Sequence, residues 1–313
     1  MESFDQSLKY LLQHAPADFI RFGLADPSVR VLAPVPSVLP ARGRDIDGAY
    51  VITGAGPQVA DAEIPASDKR LVHLELHRRH QGLEDLGLDV AEVQVRLYRR
   101  ERKRVVSHVW DLYGDPGAPV IEERTLAYGE AGSRCVYARI NLRGLAWEEL
   151  LANGPPALWS LVALTRGGAT KPVIRRTRDA ITARTKWTGA ERADHLAVLW
   201  FVSEAEGVPG KLMRTVFSEE RLMESELYRS IFGKGEARGK AEGKAEAVLA
   251  VLAARGIAVS DLLRDRVLHC TDVATLDVWI RRAATASTAS AVVRARAPAR
   301  AAAADSPRLA QKV

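Results

Sequence analysis

An α/β fold is predicted by three features of this 313-residue chain. Leu71-Val72-His73-Leu74-Glu75-Leu76-His77 alternates apolar and ionisable side chains, the period-two pattern of a β-strand. Residues 83–102 instead repeat apolar groups at helical spacing, with Leu86, Val90, Val93, Leu97 and Tyr98 on one side, all expected in the core. The order helix, strand, strand, helix, strand, strand then folds most simply as helices layered on a small sheet.

The first helical stretch covers residues 4–25, where Phe4, Leu8, Leu11, Leu12, Phe19, Ile20 and Phe22 recur at helical spacing. A break is expected at Ala15-Pro16, because proline brings no amide donor. A proline-rich connector over 34–40 leads into a strand over 45–53, and residues 54–57 (Gly-Ala-Gly-Pro) read as a turn. The strand containing Glu75 and the helix over 83–102 follow, and the apolar runs 105–112 and 135–142 complete the sheet. Residues 147–230 read as helical throughout, punctuated by Pro155-Pro156 and Gly167-Gly168.

From Gly233 a four-residue repeat of Gly, Lys, Ala and Glu begins, placing Gly235, Gly239 and Gly243 on one helical row and Ala237, Ala241 and Ala245 on another. Each interior glycine costs a helix about 1 kcal/mol against alanine. The repeat is therefore either a flexible helical linker or one member of a close-packed helix pair. Gly256 suits the end of the helix. Ser260-Asp261 and Asp272 suit the starts of two more, the second burying Leu276, Trp279 and Ile280. The expected domains are 1–145, an α/β domain; 146–232, a helical extension; 233–286, the repeat helix with a small helical hairpin; and 287–313, a disordered Ala/Arg-rich tail.

Composition excludes some classes. With 47% hydrophobic residues a real core is available. The net charge of +6 permits an anionic partner without demanding one, since Arg294, Arg296, Arg300, Arg308 and Lys312 sit in the expected tail. Two distant cysteines argue against a disulfide framework and for a reducing compartment. Neither a leader pattern nor a bilayer-length apolar run is present, so a cytoplasmic location with no membrane partner is expected. No nucleophile elbow, phosphate-binding loop or dinucleotide fingerprint is present either.

The chemistry-bearing residues lie on two neighbouring strands. Leu74 and Leu76 point to a core, so His73, Glu75 and His77 share the opposite face. Asp47, with Asp45 as the competing choice, enters the preceding strand. Two carboxylates meeting from adjacent strands suit a hard divalent cation, which usually keeps several waters of its own. His77, two residues from Glu75, would flank such an ion or its water. The set His73, Glu75 and His77 is alternatively a donor set for zinc. Arg96, Arg99, Arg100, Arg102, Lys103 and Arg104 form a basic helix end that could neutralise phosphates or merely complement the helix dipole. Gln94 and Arg96 are placed to look towards the strands.

Several of these segments, in this order, resemble one family. Phe4-Asp5-Gln6-Ser7-Leu8-Lys9, Arg44-Asp45-Ile46-Asp47-Gly48-Ala49-Tyr50, Val72-His73-Leu74-Glu75-Leu76-His77 and Arg96-Leu97-Tyr98-Arg99-Arg100 are similar to the bacterial recombination-promoting nuclease and transposase-related family of the PD-(D/E)XK nuclease superfamily. The Gly/Lys/Ala/Glu repeat and Cys270-Thr271-Asp272-Val273-Ala274-Thr275-Leu276-Asp277-Val278-Trp279 resemble its helical extension. The resemblance implies a restriction-endonuclease-like core, a mixed sheet flanked by helices, followed by an α-helical C-terminal region. It implies a metal-dependent DNA endonuclease associated with recombination, with Asp47 and Glu75 as ligands of Mg2+ or, as a substitute, Mn2+. Asp47, Glu75 and His77 would be catalytic, and Gln94, Arg96, Arg99 and Arg100 would bind DNA. His77 stands where the superfamily usually has lysine and this family often glutamine. The alternative expectation is a catalytically inactive nuclease-fold interaction protein, with the C-terminal helices as a homo-oligomerisation surface.

Overall fold

The computed structural model describes residues 2–35, 38–39, 44–45, 47–53, 69–77, 83–128 and 133–294. The turn expected at 54–57 and the tail from 295 onwards lie outside the described residues. The chain forms two compact units, Met1–Ile231 and Phe232–Val313.

The first unit opens with α1 (Glu2–His14) and α2 (Pro16–Leu24), separated at Ala15 as the proline requires. Its strands are β1 (Arg30–Pro34), a short separate pair β2 (Val38–Leu39) and β3 (Arg44–Asp45), then β4 (Gly48–Thr53) and β5 (Lys69–His77). After α3 (Leu83–Glu101) come β6 (Val105–Asp111), β7 (Ile121–Tyr128) and β8 (Ser133–Ile140). The six-stranded sheet runs β1-β4-β5-β6-β8-β7, and β5, β6 and β8 are its parallel centre. This is an α/β architecture with a mixed sheet.

Both faces of the sheet are covered. Val72, Leu74, Leu76, Trp110 and Ile140 pack against Phe4, Leu8, Phe19 and Ile20 of α1 and α2. On the other face, Leu71 and Ala49 meet Val93 and Leu97 of α3, while Val109, Cys135 and Tyr137 meet Leu86 and Val90. Covering both faces is the usual state of parallel strands. The ionisable side of β5 is therefore not a solvent face: His73 is fully buried and His77 is 8% exposed.

A short 3-10 turn, Leu142–Gly144, and seven further helical segments follow. The seven are α4 (Trp147–Asn153), a 3-10 stretch at Pro156–Leu164, α5 (Lys171–Thr182), α6 (Gly189–Ala205), α7 (Gly210–Val216), α8 (Glu219–Met223) and the start of α9 (Glu226–Ala254). α6 begins with a capping box in which Thr188 and Glu191 satisfy each other's backbone amides. These helices share one core with the sheet, through Leu158, Leu161, Leu196 and Val202, so the position near 145 does not interrupt the packing. Tyr10 of α1 also donates to Asp194 of α6.

Packing is close where α2 meets β6. A Cβ at Gly23 would lie 2.5 Å from His108 Nδ1 and 2.8 Å from Ile140 Cδ1. Gly23→Ala gains about 1 kcal/mol of helix propensity but overpacks the interface by about 1–3 kcal/mol. The expected result is a net destabilisation of roughly 1 kcal/mol, seen as a Tm lower by a few degrees; an unchanged or higher Tm would contradict this close approach.

In the second unit, Ala241, Ala245, Val248 and Leu252 of α9 pack with Val267 of α10 (Asp261–Leu268), Leu276 and Trp279 of α11 (Val273–Ala283), and Val292 of α12 (Ala289–Val292). The repeat is thus continuous helix, and its alanine row makes the close contact. Gly235, Gly239 and Gly243 have nothing within 4 Å of where a Cβ would stand. Gly256 closes α9 with a φ of 68°, and the Asp272 side chain caps α11. Residues 287–294, expected in the tail, instead contribute α12, because Ala289 and Val292 bury against α11.

Candidate functional site

His73, Glu75 and His77 of β5 and Asp111 of β6 share the α3 face of the sheet, towards the C-terminal ends of the parallel strands. Ligand sites in open α/β sheets favour that end. Register does the placing. His73, Glu75 and His77 of β5 lie beside Ser107, Val109 and Asp111 of β6. Gly48 of β4 pairs with Leu74, and Asp47, one residue earlier, sits beside the end of β5 with its carboxylate at the Leu76 amide.

Each of these groups has a defined neighbour. Asp47 accepts a hydrogen bond at Oδ2 from the Leu76 amide, 2.9 Å away, and its Oδ1 is 3.9 Å from Lys9 Nζ. Lys9 lies on α1 and also pairs with Asp5 at 3.3 Å. The Glu75 carboxylate is largely covered, with Oε2 3.3 Å from His73 Nε2. His73 Nδ1 is 3.1 Å from Ser107 Oγ, and Gln94 Nε2 donates to the same hydroxyl at 3.0 Å.

A second network adjoins the first. Asp111, 3% exposed, takes His77 Nδ1 at 3.0 Å and the Tyr113 amide at 3.1 Å on Oδ1. On Oδ2 it accepts Arg139 Nε at 2.8 Å, with Arg139 Nη2 closing the pair. Burial works against its ionisation, but the hydrogen bonds from His77, Arg139 and the Tyr113 amide outweigh burial and hold the carboxyl at about 2. An ionised Asp111 keeps the His77 proton on Nδ1, which makes Nε2 the basic nitrogen.

The structure redistributes the expected DNA contacts. Gln94 does not face outward: its amide nitrogen also donates to the Val136 carbonyl at 2.9 Å, and its oxygen accepts from Cys135 Sγ. It ties α3 to the sheet because its neighbours there are polar groups that need partners. Arg96 pairs with Glu92 one turn away, and Arg100 Nε with Glu101 at 2.9 Å. Arg99 is exposed. Tyr98, expected in the core, is 53% exposed because it falls beyond the edge of the α3 stripe that meets the sheet.

Lys9, Asp111 and Arg139 are site neighbours that the sequence did not single out. Asp111 had a readable signal, as the last residue of an alternating strand beside β5. Lys9 had none, since its value depends on where α1 crosses the sheet. The zinc alternative is not assembled: among the described residues no group of three or more His, Cys, Asp and Glu side chains is arranged to hold a metal ion. Among the described residues no helix is long and apolar enough to cross a membrane. No family model matches the chain, and neither a curated protein nor a solved structure matches it.

Proposed function

We propose that this sheet end hydrolyses DNA phosphodiesters with the help of a divalent cation, in a recombination or mobile-element setting of the kind the family resemblance implies. The observation that supports this reading is that Asp47 is held at the Leu76 amide, next in the chain to Glu75 and His77, with Asp111 beside His77. The donor set is two carboxylates, hard oxygen ligands that suit Mg2+ or Mn2+. Asp47 and Glu75 would hold the ion, which when bound supplies Lewis-acid activation of phosphate and water.

The chain's own residues account for the rest. His77, its ring fixed by Asp111, takes a proton at Nε2. Lys9 brings positive charge to Asp47 from α1, where the superfamily pattern would place a lysine at 77. Arg99, Arg96 and Arg100 line the outer side and end of α3 as backbone contacts for DNA. Magnesium- or manganese-dependent plasmid nicking by the full chain tests this. Asp47→Asn and Glu75→Gln should each lower the rate by about 10²-fold or more. Nicking that survives both substitutions removes the site.

One observation favours a second reading. Asp47 already accepts from the Leu76 amide and Glu75 already faces His73, so the network closes on itself without an ion. A catalytically silent interaction protein with this fold would show neither nicking nor calorimetric uptake of magnesium or manganese. Its C-terminal helices would then serve homo-oligomerisation.

A further inference from the structure

We infer that the hollow beside Asp111 is a nucleotide pocket, an apolar slot for one nucleobase with an arginine at its mouth for the phosphate. This deepens, and rests on, the reading of the adjoining sheet end as a phosphodiesterase. The cavity measures about 130 Å³ and lies between α3 and strands β6, β7 and β8. The proposed occupant is one planar base, with its sugar and phosphate outside at the mouth.

The walls are right for a base. Leu86, Val109 and Leu126 supply apolar surface for the two ring faces. Gly87 lets α3 approach Leu126 closely, since a Cβ there would stand 3.0 Å from Leu126 Cδ2. Tyr137, 7% exposed, also lines the cavity. Burial raises its pKa, so it stays a neutral phenol able to donate to or accept from a base edge.

The mouth is right for a phosphate. Arg139 is fixed by Asp111, whereas Arg124 is 43% exposed and gives its Nε to Glu122 at 3.0 Å, with both Nη nitrogens still to donate. Asp111 belongs to both places, lining the cavity and holding His77. A nucleotide seated here would therefore present its neighbouring phosphodiester towards His77 and Glu75.

The test titrates the full chain with nucleoside 5′-monophosphates, following backbone amides by NMR, against inorganic phosphate and ribose 5-phosphate. Millimolar or tighter binding of the monophosphates, at least tenfold stronger than either control, with shifts centred on Leu126 and Tyr137, is the expected result. Leu126→Trp, which fills the slot, should abolish it, and the near-isosteric Tyr137→Phe should weaken it several-fold while leaving the fold intact. Equal binding of phosphate alone, no binding at millimolar concentration, or undiminished binding by folded Leu126→Trp protein would overturn the inference. The two readings fail separately. Glu75→Gln should lose nicking and keep nucleotide binding. Wild-type chain that binds nucleotides but never nicks sinks the phosphodiesterase alone. Chain that nicks without binding nucleotides sinks the pocket alone.

Discussion

Lowering the pH from 7 to 4 should remove about 6 kcal/mol of stability from the first unit, through two buried histidines. His108 is fully buried between β6 and α2, and among the described residues neither of its ring nitrogens has a partner. Burial, reinforced by His73 nearby, lowers its pKa from 6.5 to about 4. His195 of α6 stacks on Trp187 at 4.0 Å and turns Nδ1 to Ser160 at 2.9 Å. Burial lowers it from 6.5 to about 4 as well, with Asp194 and Glu191 opposing the shift and His14 adding to it. A depressed histidine pKa means that the folded state prefers the neutral ring. Its contribution is complete above pH 6.5 and is lost as the pH falls towards 4, because only the unfolded chain takes up the proton in that window. Each ring accounts for about 3 kcal/mol at 1.36 kcal/mol per unit. Such a loss is comparable to the whole stability of many domains. Urea midpoints measured between pH 7.5 and 4 would show it, and His108→Leu should remove about half the slope. Midpoints that stay level across that range would mean these rings are open to water.

Asp111→Ala is expected to cost about 3–5 kcal/mol at pH 7, as when one partner of a buried pair is deleted. The substitution leaves the Arg139 guanidinium, with 12% side-chain exposure, without its main acceptor. It also strips the His77 ring and the Tyr113 amide of their hydrogen bonds to that carboxylate. Because the Asp111 pKa is depressed to about 2, its contribution is present at neutral pH and lost only as the pH falls below about 4 towards 2. That window is separate from the histidine one. Pairing Asp111→Ala with Arg139→Leu should restore part of the loss, since the stranded charge is then gone. Equilibrium unfolding of the two single variants and the double variant measures the coupling. A single-variant loss below 1 kcal/mol would show that the network is solvated.

What the sequence made legible follows from burial. β5, β6, α3 and the α1–α2 pair each bury a regular set of positions, so their periodicity survives in the residue order. The two strands of the six-stranded sheet that escaped, β1 and β7, are its two edges. β7 reads Ile-Glu-Glu-Arg-Thr-Leu-Ala-Tyr, and residues 121–127 are exposed or half-buried, so no apolar alternation marks it. The burial of the ionisable face of β5 has no signal in the residue order, because histidine and glutamate usually seek water. Here Ser107 and Gln94 supply the partners that let α3 cover it. Of the site, the common face of His73, Glu75 and His77 was readable from the alternation of β5. Lys9, Asp111 and Arg139 reach it across 38, 36 and 64 residues of chain from Asp47 and Glu75, through contacts that no local spacing encodes.

The exposed middle of α9 has a consequence for how the molecule comes apart. Leu227 and Tyr228 are anchored in the first core and Ala241 onwards in the second, while residues 232–240 are exposed throughout. Gly233, Gly235 and Gly239 fall within this span, and alanine at any of them would meet nothing. Low intrinsic helicity without packing makes a seam at which hydrogen-bonded turns open first. Amide protons there exchange ahead of those in either core, and each unit can melt without dragging the other with it.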